Sequence, residues 1–445
     1  MNDLTLPLSG LSSVGGKSVV ARFDGGMLSS NSGVLALAEV EKRLRVADRV
    51  ARCIDDPRRP DQIIHSLADM IGFRMKMIAA GYEDGNDANR LRCDPVFKMA
   101  QDALPSGRDL ASQSTMCRLE NLPGVRELVV MGRAMVDLYC ASFRQVPKRI
   151  VLDIDDTFDA VHGGQQLRLF NAHHDEYGFQ PIVVFDGDGR FVGAVLRPAK
   201  RPSGAEIRPH LRRLVRAIRS NWPDTGILIR ADGHYCSPQV IDWCRANDVD
   251  FILGVAPTTT LRKHVADLET STMARFEASK TNKVRRFKEF FDGAASWSRV
   301  ERIIARVEVG AQGADTRFIV TNLASGKAKA LYEDVYCRRG AAENHIKSWK
   351  THLAADRTSC TRATANQFRL FLHAGAYWLM WGLRAAMPKR SSFAVAQFDT
   401  LRLRLIKIAA RVVEMKTQIR LHLPTSCPDQ RILRIVLSRI PQLAT

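Results

Sequence analysis

The chain has 445 residues, 45% of them hydrophobic, which is enough for two or three domains with cores of their own. Its 66 Lys and Arg against 47 Asp and Glu leave a net charge of +19, which calls for a polyanion partner, nucleic acid first and an acidic membrane second. Nine scattered cysteines, none in a C-x-x-C pair, exclude a disulfide framework or a zinc ribbon and fit a reducing cytoplasm.

The opening MNDLTLPLSGLSS lacks the charged n-region and long apolar core of a signal peptide. After a short extended start, KSVVARFDGG, residues 1–145 are expected to be a mostly helical DNA-binding region. Apolar residues recur at helical spacing over 35–44, 62–78 and 125–143, separated by polar turns at 81–87 and 105–109. No helix-turn-helix pattern stands out.

At Arg149 the pattern changes. RIVLDID is a short apolar run ending in carboxylates, as in a buried strand that delivers acids to the end of a sheet. LRLFNA, PIVVFD, a DGDG turn at 186–189 and RFVGAVL follow as strands, the last two as a hairpin. A helix over 206–219 with Arg on its outer face, the strand TGILIRADG, a helix beginning at Pro238 and the strand VDFILGVA complete the unit. Antiparallel strands followed by helix–strand–helix–strand is an α/β layout, and 146–256 is expected to be the first part of a catalytic core.

Residues 257–330 are expected to be a β-rich insertion: a polar stretch, then three or more antiparallel strands. The core should resume over 331–385. The apolar run 368–387 is broken by Arg369, His373 and Arg384, so it is expected to be a buried helix and not a membrane span. In 386–445 basic residues recur among Leu, Ile and Val, which predicts basic amphipathic helices docked mainly on the core.

The most informative stretch is YCRRGAAENHIKSWK at 336–350. At about 100° per residue, Tyr336, Arg339, Glu343, Lys347 and Lys350 fall on one stripe of a regular helix. A carboxylate flanked on its own face by a guanidinium, two ammoniums and a phenol suits a metal site beside a phosphate backbone. A solvated face with i,i+4 ion pairs is the plainer alternative. Two further acids strengthen the first reading, because Asp155 ends the first core strand and Asp232 the fourth. Two strand-end carboxylates and one from a helix can hold two divalent ions about 3.5–4 Å apart, and hard oxygen donors favour Mg²⁺ or Mn²⁺.

The run Tyr336-x2-Arg339-x3-Glu343-x6-Lys350 matches the Y-(2)-R-(3)-E-(6)-K signature of the insertion-sequence-4-like DDE transposases, whose catalytic core is RNase H-like. LDIDDT (152–157), HGGQQ (162–166), AVLRP (194–198), IRADG (229–233), DRTSC (356–360), NQFRL (366–370) and the segment 81–98 resemble the insertion-sequence-1380 group. The likeness spans residues 15 to 385, and the basic tail has no counterpart in it. The resemblance implies an RNase H-like α/β core with a β-rich insertion, a helical N-terminal domain and a helical C-terminal tail. It implies metal-dependent cleavage at transposon ends and strand transfer into target DNA. Asp155, Asp232 and Glu343 would then be the metal ligands. The family's first acid lies two residues before a Thr or Ser, which selects Asp155 before Thr157; Asp153, on the same strand face, is its rival. Tyr336, Arg339 and Lys350 would hold the phosphates and the distorted strand near the cut, and Trp297 in the insertion would stack on an extruded base or else be a core residue.

Terminal inverted repeats and target DNA are the implied partners, a dimer on DNA the implied assembly, and the bacterial cytoplasm beside the nucleoid the implied location. A nuclease or resolvase on the same core, and a DNA-binding protein derived from a transposase, are the alternatives. His162, His173, His174 and Asp175 could form a zinc cluster, but adjacent histidines on a strand face opposite ways, so polar packing or phosphate contact is the better reading.

Overall fold

A computed structural model describes Leu8 and residues 10–443. Positions 1–7, 9, 444 and 445, part of the expected start and tail, lie outside the described residues. The chain divides into two compact units: Met1–Leu122, His352–Ala354 and Gly375–Leu443 form the first, while Pro123–Thr351 and Ala355–Ala374 belong to the second.

The second unit is organised by an eight-stranded mixed sheet. Its strands are β1 (Arg149–Asp156), β2 (Ile182–Asp186), β3 (Phe191–Val195), β4 (Gly226–Ala231), β5 (Asp250–Val255), β6 (Lys283–Asp292), β7 (Glu301–Gly310) and β8 (Gly313–Thr321), in the spatial order β6-β7-β8-β5-β4-β1-β2-β3. β2 runs antiparallel to β1 and β3, whereas β1, β4 and β5 run parallel. Parallel neighbours need a crossover. The helix Gly204–Asn221 leads from β3 into β4, and the helix Pro238–Ala246 leads from β4 into β5. The first begins in a capping box between Ser203 and Glu206 and buries Ile207, Leu211, Val215 and Ile218, leaving Arg208, Arg212, Arg213 and Arg216 exposed. The second has Pro238 in its first turn and Ser237 as its cap. Strands inside the sheet are apolar on both faces, as Ile227, Leu228, Ile229, Phe251, Ile252 and Leu253 are all buried.

Segment 257–330 contains the three antiparallel strands expected of it, preceded by an element that was not expected. The polar stretch is a helix, Thr259–Glu277, capped by the Thr258 hydroxyl. The strands after it extend the main sheet, with Phe318–Thr321 of β8 antiparallel to Val255–Ile252 of β5. Buried Phe318, Ile319 and Val320 cover what would otherwise be an open sheet edge. A separate small sheet, Asp159–Ala160, Leu169–Asn171 and Glu176–Phe179, lies between β1 and β2 in sequence.

The first unit is mainly helical, with Val34–Leu44 and Leu67–Ala79 close to their predicted spans. Its C-terminal part corrects the expectation of an all-helical tail. Ala410–Glu414 and Ile419–His422 are strands that form an antiparallel sheet with Leu28–Ser29. In ARVVE the β-branched Val412 is buried between exposed Arg411 and half-buried Val413, a two-residue period that outweighs the spacing of the basic residues. The helix Gln430–Arg439 keeps the predicted helical character. The run 368–387 lies mostly within the helix Ala363–Ala385, where Phe368, Leu372, Tyr377, Trp378 and Leu379 are buried. Among the described residues no helix is long and apolar enough to cross a membrane.

Candidate active site

Strand register brings the two aspartates together. β1 and β4 are parallel, with Asp153 opposite Arg230 and Ile154 opposite Ala231. One residue further along each strand stand Asp155 and Asp232, side by side at the same sheet end. Burial pushes the Asp155 carboxyl up to about 6; Arg339 opposes that rise, and the neighbouring charge of Asp232 adds to it. A half-buried carboxylate whose charge is disfavoured by burial and by an adjacent carboxylate forms a site that a cation would stabilise.

Asp153, on the same strand face, has a different environment. It is buried, and both of its oxygens accept from Arg230, at 2.5 Å from Nε and 2.7 Å from Nη2. Arg230 also donates from Nη1 to the Val335 carbonyl at 2.5 Å. That bidentate pair uses both Asp153 oxygens. Asp156 faces the other way, as expected, and accepts from Gln180 Nε2 and, at 3.4 Å, from the Tyr235 hydroxyl. His234 links the two sides, since its Nδ1 lies 3.3 Å from Asp156 Oδ1 and 4.0 Å from Asp232 Oδ2, and its backbone N–H donates to Asp232 Oδ1 at 2.9 Å.

The Tyr/Arg/Glu/Lys segment is helical but not regular. A π-helical stretch, Leu331–Tyr336, is followed by a 3-10 turn, Cys337–Arg339, an α-helix, Gly340–Lys347, and a second π-helical stretch, Ser348–His352. Changes of pitch of this kind are common at functional sites and disperse a stripe drawn at 100° per residue. Arg339 turns to the aspartates, with Nη1 2.7 Å from Asp155 Oδ2, and Asp155, Tyr336, Asp232 and Glu343 all favour its charge. Tyr336 comes close to β5: a Cβ on Gly254 would sit 2.7 Å from its hydroxyl oxygen. Lys350 turns inward, donating to the Thr157 hydroxyl at 3.2 Å and to the Phe158 carbonyl. Glu343 and Lys347 stay exposed and make no hydrogen bond or ion pair among the described residues.

Asp155, Asp232 and Arg339 are thus drawn together, and Glu343 follows Arg339 by one helical turn. Among the described residues no three His, Cys, Asp or Glu side chains form a metal-sized cluster. The helix carrying Glu343 is seated by His345, which lies over the hairpin turn between β2 and β3. Gly189 in that turn has φ +81°, and a Cβ there would meet the His345 ring at 2.4 Å.

Trp297 is half-buried in the turn between β6 and β7 and stacks on no other ring among the described residues. His174 stacks on Phe158, with ring centroids 4.1 Å apart, and His173 packs edge-on against it, which is aromatic packing in place of a zinc cluster. Sequence reasoning passed over Arg230, His234 and Asp159. For Arg230 a signal existed: a guanidinium inside an apolar strand needs a buried counter-ion, and Asp153 is the acid with the matching alternation.

Residues 11–445 match the family described as Transposase DDE domain group 1, and the chain belongs to that family. It is a DNA transposase, an enzyme that cuts DNA and transfers strands, and enzymes of this kind generally use divalent metals. No curated protein matches the sequence. Among solved structures, a cryo-EM structure of the piggyBac transposase synaptic complex with hairpin DNA is similar at 11% sequence identity and a TM-score of 0.42, covering 92% of this chain and 85% of that one.

Proposed function

We propose that the chain is a transposase of the insertion-sequence-1380 group with an RNase H-like core, in which Asp155, Asp232 and Glu343 hold two Mg²⁺ ions. The observation that carries this reading is the β1/β4 register, which sets Asp155 beside Asp232 and brings Arg339 of the Glu343 segment onto Asp155. The donor type fits, since Asp155 and Asp232 are adjacent hard oxygen ligands and the charge of Asp232 adds to the rise at Asp155, which a cation would relieve. Divalent ions bound there would supply the Lewis acidity that makes a water or 3′-hydroxyl nucleophilic and steadies the leaving oxygen.

The chain's own groups do the rest. Arg339 neutralises Asp155 in the free protein and, with exposed Lys347, is the cation we assign to phosphates beside the cut. Tyr336 supports the strand near Asp232, and Trp297 offers a ring for an unpaired base. The exposed Arg208, Arg212, Arg213 and Arg216 add positive charge on the same unit, in keeping with a duplex partner. Element ends bearing inverted repeats, a target duplex and a dimer holding two ends complete the proposal. We keep the division proposed from the sequence, with catalytic segments over 146–256 and 331–385 flanking 257–330.

The test is incubation with DNA carrying candidate element ends, with Mg²⁺ or EDTA, followed by mapping of cut strands. Asp232→Asn and Glu343→Gln should each lower cleavage by roughly three orders of magnitude or more while end binding stays within a few fold. Cleavage that survives either change removes that residue from the site.

A further inference from the structure

We propose that the outer ridge of the helix Gly204–Asn221 is a docking strip for the target duplex, held through its phosphates and without regard to base sequence. The inference rests on the transposase reading above, because such an enzyme must hold DNA of arbitrary sequence besides its element ends.

The helix carries charge that the fold does not use. At about 100° per residue, Arg208, Arg212, Arg216 and Arg219 fall within about 80° of its circumference, away from buried Ile207, Leu211 and Ile218, with Arg213 at the margin. Arg208, Arg212 and Arg216 are exposed, and their side chains make no ion pair or hydrogen bond among the described residues. Arg213 Nη2 lies 3.3 Å from His210 Nδ1, and Arg219 Nη2 donates to the Asp248 carbonyl at 2.9 Å. The carboxylates that border the helix are engaged elsewhere, Glu206 by Ser203, Arg197 and Lys200, and Asp137 by Asn221 and Arg133. Like charges four residues apart weaken a helix, so the row works against folding until a polyanion lies along it.

The strip starts at the active-site end of the sheet. Arg201, just before the helix, donates from Nη2 to the Gly233 carbonyl at 2.9 Å, next to Asp232, and a Cβ on Gly204 would collide with Ser237 of the same loop. The chain leaves the helix to enter β4 at Gly226 and returns to Asp232, so Arg208 stands at the Asp232 end of the strip and Arg219 at the far end. From Arg208 to Arg219 the helix rises about 16 Å, the axial length of about five phosphates on one DNA strand. The helices Val125–Ala141 and Pro238–Ala246 both pack against it, so only its ridge can touch a duplex and it cannot enter a groove. Contacts from such a ridge go to phosphates, which guanidiniums bind bidentately and which carry no sequence information. Residues 208–219 contain no Asn, Gln, Asp or Glu to read base edges. A repeat-bearing end has to be told apart by its bases, whereas a target of any sequence does not, and the strip suits the second.

The experiment uses the full-length chain preloaded with an unlabelled duplex carrying a candidate element end, and a labelled duplex of random sequence as the DNA to be captured. The triple variant Arg208→Gln/Arg212→Gln/Arg216→Gln is compared with wild type for the slope of log K against log salt, once in capture and once on a labelled end duplex. Docking predicts a capture slope lower by about 2.7, three phosphate contacts at about 0.9 each, and a clearly smaller change on the end duplex. An unchanged capture slope, or an equal loss on the end duplex, overturns the proposal. Gln keeps helix propensity, so the triple variant should melt no lower than wild type. Should it melt lower, Arg212→Gln alone decides, by a capture slope that falls by about 0.9 or stays unchanged. Asp232→Asn assayed alongside separates the two readings: cleavage by that variant would sink the metal-site assignment, while capture of the random duplex by the unloaded chain still judges the helix.

Discussion

Arg74 in the first unit and Asp155 in the second are both charged side chains withdrawn from water, yet their surroundings differ. Arg74 is fully buried and donates to Glu120 Oε1 at 2.9 Å and to the carbonyls of Tyr82 and Glu83 at 3.3 and 2.6 Å. Asp155 is half-buried and has one guanidinium, while the adjacent Asp232 works against its charge. The same contrast recurs on a single strand, where Asp153 is fully bonded to Arg230 and Asp155, two residues on, is not. A buried charge whose hydrogen bonds are all made within the chain is scaffold. One left partly unmet at an accessible sheet end is available for chemistry.

The largest effect should separate the two β1 aspartates. Asp155→Asn is expected to lower cleavage by roughly three orders of magnitude without loss of stability, since burial already disfavours its charge. Asp153→Asn should instead destabilise the fold by about 3–5 kcal/mol, because Arg230 is left buried without its counter-ion. Cleavage and urea unfolding of both variants check this, and the reverse pattern would break the comparison. Next, Arg74→Ala should also cost about 3–5 kcal/mol, read from the urea midpoint, for the same reason in the first unit.

A smaller loss, about 1–3 kcal/mol, is expected for Gly189→Ala, where a positive φ and the His345 ring both exclude a Cβ. Because His345 is two residues from Glu343, cleavage should fall beyond what the stability loss explains; equal falls would remove His345 as the seat of that helix. The last effect is one of pH. The carboxyl of Asp159 lies above its ordinary 3.8, at about 8 in the fold. Its contribution to stability is therefore full below about pH 4 and is lost as pH rises towards 8. Asp159→Asn removes that dependence, so its melting temperature should fall less than the wild-type value between pH 5 and pH 8. An equal fall would show that Asp159 is already ionised and paired at pH 5.

Much of the core was legible because its strands are short apolar runs with period or composition of their own. RIVLDID and GILIRA needed no partner to be recognised, and their terminal acids marked a sheet end. The helices 35–44 and 125–143 were visible for the same local reason, and structure assigns nearly those spans. Segment 257–277 was missed as a helix because its apolar positions are few, and the tail strands because basic residues at helical spacing concealed a two-residue period.

By itself the sequence determined which residue types were available: three acids, a Tyr/Arg/Glu/Lys run, a surplus of cations, and the local periods that make strands and helices. Tertiary structure alone decided who meets whom. Asp153 finds Arg230 across 77 residues and Lys350 finds Thr157 across 193. The first pairing leaves only the hint of a guanidinium inside an apolar strand and the second leaves none, because register between strands and the pitch of an irregular helix are set by packing and not by spacing along the chain. Two aspartates of identical chemistry on one strand therefore became a strut and a candidate metal ligand only when the sheet closed around them.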